Sequence, residues 1–305
     1  MGSYIVRRLI WSVVTVWAIV SVTYFVTFSI PSSLARVIAG PHATPSTIHQ
    51  INIALGLNLP LPVRYLHFLV QLLHGNLGYD WVVRTPVAPL VLHAAPLTGL
   101  LAVAAVLCEL IIAIPIGIVS AMRPYSFGDN VGRILSVSGI SMPTYFTGSV
   151  LLLVFGFYLG WLPLGGVSLA GVILPAVSVG ITGAAFYSRI LRSSMLEETQ
   201  LDYVRTARAK GVKSFQVTMR HVFRNALIPV VTYLGLDFGN LLGGLIITET
   251  IFDWQGLGHL LNQALNSIDG ALVMGIVLFS STAIVACNLL VDIAYGFLNP
   301  RITYQ

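Results

Sequence analysis

The feature that most constrains this chain is an uncharged run at residues 9–30 and the recurrence of such runs along the sequence. In hydrocarbon every backbone N–H and C=O must be satisfied within its own segment, so an apolar run of about 20 residues folds as a spanning helix. The first run follows Arg7 and Arg8 and stops at Pro31. It is longer than the ~7–15 residues of a signal-peptide core, so it is read as a retained span, although Ser33-Leu34-Ala35 imitates a cleavage site. Five more runs follow, at 97–121, 134–159, 171–190, 226–247 and 271–297. Only 9% of the 305 residues are charged and 56% are apolar, whereas soluble domains carry about 25% charged residues. The expectation is an all-α polytopic membrane protein with six transmembrane helices and both termini on one side.

The basic residues say which side. With the N-terminus inside, the inner segments hold Arg7, Arg8, Arg123, Arg133, Arg189, Arg192, Arg205, Arg208, Lys210, Lys213, Arg220, Arg224 and Arg301. The outer segments hold Arg36, Arg64 and Arg84. This bias places the termini in the cytoplasm, with the chain in the cytoplasmic membrane. The net charge of +5 is thus an orientation signal in a lipid bilayer, with no nucleic-acid partner implied. Residues 31–95 are more polar. They hold a short amphipathic pattern at 62–74, with Leu66, Leu69, Val70 and Leu73 on one face and Gly75 to stop it. It is too short to span and is expected to lie on the outer face.

The largest inner loop, 193–228, carries the functional signal. Between Arg189 and Arg224 lie eight of the sixteen basic residues. The loop reads as two helices. The first is expected to begin at Ser194, with Glu197 completing a capping box, and to end at Gly211 in a left-handed turn. The second is expected to run from Ser214 to Leu227, before Pro229. Phe215, Met219, Val222, Phe223 and Ala226 recur on it at helical spacing. A helix pair with one charged and one apolar face, held at the inner surface, implies a docking partner.

The run DYVRTARAKGVKSFQVTMRHVFRNALIPVVT, Asp202 to Thr232, resembles the EAA loop of ABC-importer permeases, in the form found in the dipeptide/oligopeptide/nickel family and closest to its dipeptide permease B-type subunit. Further matches stand in the family's order: ALGLNLPL, HGNLG, SRILRSSMLE, TETIFDWQGLG and NLLVDIAYGFLNPR. Counting back from Gly211, Arg205 stands at the Glu position and Thr206 and Ala207 at the two Ala positions, which resembles the peptide subgroup. The resemblance implies a type I ABC importer transmembrane domain. Residues 1–95 would be a first helix plus extracytoplasmic segment, 96–298 the transmembrane domain proper, and 299–305 a cytoplasmic tail. It also implies that the loop couples to a separate ATPase through Glu198, Asp202, Tyr203, Arg205, Thr206, Ala207, Arg208, Ala209, Lys210, Gly211, Arg220, His221, Arg224, Asn225 and Pro229. The implied partners are a second, homologous permease in a heterodimer, two cytoplasmic ATPase subunits and an extracytoplasmic solute-binding protein. The implied cargo is short peptides, with nickel chelates, glutathione or haem as alternatives within the family.

The chain itself is not expected to be an enzyme. A phosphate-binding loop needs Gly-Lys-Ser/Thr, yet Lys210 follows Ala209 and Lys213 follows Val212. ATP and Mg²⁺ are therefore expected on partner subunits, with no cofactor here. No metal motif competes, since His42 and His49 are a weak pair, and Cys108 and Cys287 lie singly in apolar runs. An ion-coupled secondary transporter is the alternative class. It would use Glu109, Asp237 or Asp292, the acids in or near the spans. An unpowered channel or scaffold is a further alternative. In the fifth span Gly235, Gly239 and Gly243 recur every four residues, with Asp237 and Asn240 off that line. They serve either close helix packing or the pathway; Gly156 and Gly160 in the third span are read in the same way.

Overall fold

The computed structural model describes residues 2–29, 35, 39, 43–54, 56–243 and 245–298. Ser33, Leu34, Arg36, His42 and the 299–305 tail with Arg301 lie outside the described residues. The order is α1 (Gly2–Ser29), α2 (Pro45–Ala54), α3 (Leu61–Leu73), a two-residue hairpin of β1 (Tyr79–Asp80) and β2 (Thr85–Pro86), α4 (Val87–Met122), α5 (Phe127–Ser141) and α6 (Thr144–Leu151), which widens into a π-type turn over Leu152–Tyr158. Then come α7 (Ile173–Thr199), α8 (Asp202–Ala209) and α9 (Ser214–Gln216), which continues through a π-type turn at Val217–Phe223 into α10 (Arg224–Leu242). The chain closes with α11 (Ile246–Ile251), α12 (Leu257–Asn266) and α13 (Gly270–Leu298).

Five described helical segments are long and apolar enough to cross a membrane: Val6–Ser29, Val87–Met122, Ile173–Thr199, Ser214–Leu242 and Gly270–Asp292. The expected third span, 134–159, is two helices meeting at 102°, Phe127–Ser141 and Thr144–Tyr158. Counted as one broken span, that pair brings the number of crossings from five to six. Pro143 causes the break. Its ring disfavours helical geometry at the residue before it, and Met142 is extended at φ −82, ψ 123. The second crossing starts at Val87 rather than 97, because Pro89 falls in the first turn, where a missing N–H costs little. The helix expected at 62–74 is α3, and Gly75 stops it at φ +75.

The chain divides into two units. The first comprises 1–98, 242–246 and 255–305. In it α1 and α3 share an aromatic cluster, with Tyr24 against Phe28, Tyr65 and Phe68 and Met274 of α13 beneath. Val87 and Val91 pack on Leu257, Ala264, Leu272 and Ile276. Arg8 pairs with Asp292, so Asp292 has a structural partner at the end of its span. In the hairpin Asp80 is buried and accepts from the Val82 and Val83 amides, each at 2.8 Å. Asp269 is also buried and caps α13 by accepting from the Leu272 amide at 2.8 Å.

The second unit comprises 99–241 and 247–254. Here α5 and α7 meet through small residues: a Cβ on Gly139 would lie 2.8 Å from that of Ala185, and Ser136 and Ser188 share a hydrogen bond of 2.9 Å. Close approach of this kind drives helix association where no hydrophobic effect operates. The strongest polar tie joins the fully buried Asp129 of α5 to Arg192 of α7. The Arg192 Nε and Nη2 donate to the two carboxylate oxygens at 2.8 and 2.9 Å, and the Tyr125 amide donates at 2.8 Å. Gly156 faces Leu164 of its own following loop, and Gly160 takes φ +62 at the end of its helix. Both thus shape a turn within the 152–164 segment.

Two predictions follow from these ties. Removing Arg192, itself part-exposed, leaves the Asp129 carboxylate without its main donor, at a cost of about 1–3 kcal/mol. Arg192→Ala is expected to lower the thermal midpoint of the detergent-purified protein steeply, and Asp129→Asn added to it to recover part of the loss. Burial, and then the neighbouring Asp80, push Asp269 up from 3.8 to about 6. A carboxyl that holds its proton more tightly when folded contributes stability that is full below about pH 4. That stability fades as pH rises through about 6. Asp269→Asn should flatten this part of the pH–stability curve, measured by thermal unfolding between pH 4 and 7.

Candidate functional site

The basic loop at 193–228 is built onto the ends of two spans. α7 runs on to Thr199, so Ser194 is not the first residue of a helix. No capping box forms there, and Glu197 instead accepts a bond from Ser193 at 3.3 Å. The expectation fails because the apolar positions Leu191 and Met195 are buried and carry the helix past the local cap signal. The break comes at Leu201, extended at ψ 150. α8 then runs from Asp202 to Ala209 and ends in a Schellman motif. The Val212 amide bonds the Ala207 carbonyl at 3.3 Å and the Gly211 amide bonds the Arg208 carbonyl at 3.0 Å, with Gly211 at φ +78. That left-handed turn is the one expected of Gly211.

The following helix starts at Ser214 and does not stop before Pro229, which lies inside α10. The wide turns at Val217–Phe223 precede it and also rotate the buried face. Val217, Val222, Ala226 and Val230 are buried, whereas Phe215 is 64% exposed. Val204 of α8 is fully buried in the same cluster, with Leu191 and Met195 of α7. The apolar stripe thus seats the loop on its own bundle. The face it leaves exposed is mostly basic, with Arg205, Arg208, Lys210, Lys213, Arg220 and Arg224, together with Asp202, Thr206, Ala209, Leu201 and Phe215. Arg205 and Asp202 lie 3.4 Å apart on the surface, a contact that adds little.

Tyr203 clasps the loop shut. Its hydroxyl donates to Glu198 at the end of α7, accepts from Asn225 Nδ2 of α10 at 3.0 Å and lies 3.4 Å from the His221 carbonyl. Sequence reading named these residues singly. The clasp was not visible, because it needs the 198–203 break and the π-type turn to bring three segments together.

Deeper in the second unit, Glu109 of α4 and Asp237 of α10 both meet one face of α7. The Tyr187 hydroxyl donates to Asp237 at 2.9 Å. Glu109 is 1% exposed and sits against Gly183, where a Cβ would lie 2.3 Å from its carboxyl. Of the glycine line, Gly239 is buried and Gly235 half-buried on α10, but Gly243 lies past its end in a turn. The three therefore do not form one helical stripe. Asn240 is exposed. Among the described residues no group of three His, Cys, Asp or Glu side chains could hold a metal ion.

The fold and its basic inner loop define a membrane-embedded transport subunit. The family described as binding-protein-dependent transport system inner membrane component matches residues 113–304, and its N-terminal counterpart matches residues 1–102. The glutathione transport system permease protein GsiC of Pectobacterium atrosepticum is 38% identical over the full length of both chains. That of Escherichia coli is 36% identical, also over both full lengths. An inward-facing structure of the MetNI methionine ABC transporter shares the fold at TM-score 0.52 and 17% identity, over 67% of this chain and 95% of that one. The chain belongs to the binding-protein-dependent transport system inner membrane component family and is an ABC importer permease. It is thus a multi-pass inner-membrane protein and not an enzyme. Its transport is powered by partner ATPases and fed by a binding protein, which excludes the ion-coupled and unpowered alternatives.

Gly211 supplies a direct test of the loop. A Cβ there meets nothing within 4 Å, so substitution costs backbone strain alone, about 1–2 kcal/mol for an L-residue in the left-handed region. Gly211→Val is expected to reduce uptake with membrane insertion unchanged, and Gly211→Ala to do so less. Uptake and membrane abundance, measured side by side, check this.

Proposed function

We propose that this chain forms one half of a translocation pathway for short peptides, paired with a second homologous permease, with both termini in the cytoplasm. In this reading the 202–224 segment is the handle gripped by a cytoplasmic ATPase subunit. Tyr203, Arg205, Arg208, Lys210 and Arg220 are the side chains nearest that contact. Two ATPases act inside, one per permease, and ATP with Mg²⁺ binds there and not on this chain. The solute-binding protein delivers cargo to the outer segments. The observation that supports this best is the exposed basic helix at 202–209, pinned by Val204 and Tyr203 to the ends of two spans. A rigid lever needs that attachment, since a flexible tether could not pass motion on to the bundle.

The cargo follows from chemistry and likeness. The relatives at 36–38% identity are named as glutathione permeases, and glutathione is itself a tripeptide. A pathway serving varied peptides keeps few fixed contacts and leaves selection to the binding protein. Asp237, Asn240 and the glycines at 235 and 239 are the proposed pathway residues on α10.

Reconstitution tests the reading. Proteoliposomes holding both permeases and both ATPases should take up a dipeptide or glutathione only with ATP inside and the binding protein outside. Uptake by the permeases alone under a proton gradient would contradict it. A binding protein that ignores all peptides but takes a metal chelate would overturn the cargo and spare the mechanism.

A further inference from the structure

We propose that the cavity beside α5 and α7 in the second unit binds the phosphate-bearing headgroup of an anionic phospholipid. The cavity, of about 520 Å³, is lined by Arg133, Phe186, Arg189, Ile190, Arg192 and Ser193. Three guanidinium groups stand here against two carboxylates, that of Asp129 and that of Glu197, which accepts from the lining Ser193 at 3.3 Å. Arg192 is committed to Asp129 by two hydrogen bonds. Arg133 is only 4.0 Å from the same carboxylate, with its side chain 49% exposed, and it donates to Asn130. Arg189 is exposed and forms no ion pair among the described residues. Positive charge therefore stands in excess at the mouth of a concave site, with Arg133 and Arg189 the guanidinium groups not committed to a close ion pair. Guanidinium groups match phosphate oxygens in geometry and charge, which makes arginine pairs natural phosphate receptors.

The polarity gradient selects a lipid over a soluble anion. Along α7, Phe186 lies one turn deeper than Ile190, and the Arg189–Ser193 end lies towards the inner loop. On α5, Val137 lies one turn from Arg133, and Ile134, Val137 and Phe186 are all substantially exposed. A basic mouth thus leads into exposed apolar side chains. A phosphate ion would use only the first part, whereas a phospholipid would use both. Basic pockets between spans on the cytoplasmic side meet a leaflet rich in anionic lipid. The sidedness rests on the orientation proposed above. The lipid measurement needs neither ATPase nor transport, so failure of one reading leaves the other standing.

The test is native mass spectrometry of the full chain with its permease partner, purified in detergent and offered equal phosphatidylglycerol and phosphatidylethanolamine. Wild-type protein should retain phosphatidylglycerol. Arg133→Gln with Arg189→Gln should weaken that retention roughly ten-fold or more, two surface arginines being lost, and leave phosphatidylethanolamine unaffected. Equal retention by the double variant overturns the proposal. Displacement by millimolar inorganic phosphate overturns the lipid assignment in favour of a soluble anion, and displacement by added ATPase subunits does so in favour of a protein partner. A second measurement needs no variant: the thermal midpoint of the wild type in nanodiscs should rise when phosphatidylglycerol replaces phosphatidylcholine, and an unchanged midpoint contradicts the site.

Discussion

The account depends on one packing contact, the burial of Val204 beside Val217, Val222 and Ala226 against Leu191 and Met195. Burying a side chain of this size is worth about 1.5–3 kcal/mol, and the cluster contributes several such terms. Without it, α8 would be a basic eight-residue helix, too short to be stable alone in water. With it, the helix becomes a fixed projection of two spans. The Tyr203 hydroxyl adds direction by tying Glu198 and Asn225 to one point.

A transport subunit of this kind has to reconcile rigidity at its handle with mobility in its bundle. The polar ties follow that division. Asp129 and Arg192 lock α5 to α7 near the loop, and Ser136 and Ser188 continue the seam. Farther along α7, contacts are made by glycine faces and by the Tyr187–Asp237 bond. The bend at Pro143 sets two apolar helices at 102° to each other.

Much of this was legible in the sequence. The spans were set by apolar length alone, because hydrocarbon enforces helix wherever charge is absent. Gly211 was legible because a left-handed turn leaves few other choices. What was not legible depended on competition between local and tertiary forces. Ser194 and Glu197 carry a sound capping signal, yet burial of Met195 overrides it. Pro229 looked like a stop, but the helix continues through it. Of the apolar stripe Phe215, Met219, Val222, Phe223 and Ala226, Val222 and Ala226 are buried, whereas Phe215 is exposed and the π-type turn brings Val217 inward. A wide turn has no sequence period of its own, so α-helical spacing misassigned one face. The Tyr203 clasp lay beyond reach for the same reason.

Site-directed cross-linking addresses the central claim most directly. With Lys210→Cys in the assembled transporter, a short thiol cross-linker should join this chain to an ATPase subunit. The yield should be high and should change when ATP is bound. Absence of any cross-link to a nucleotide-hydrolysing subunit, or labelling of that cysteine by an impermeant reagent from outside the cell, would contradict the account.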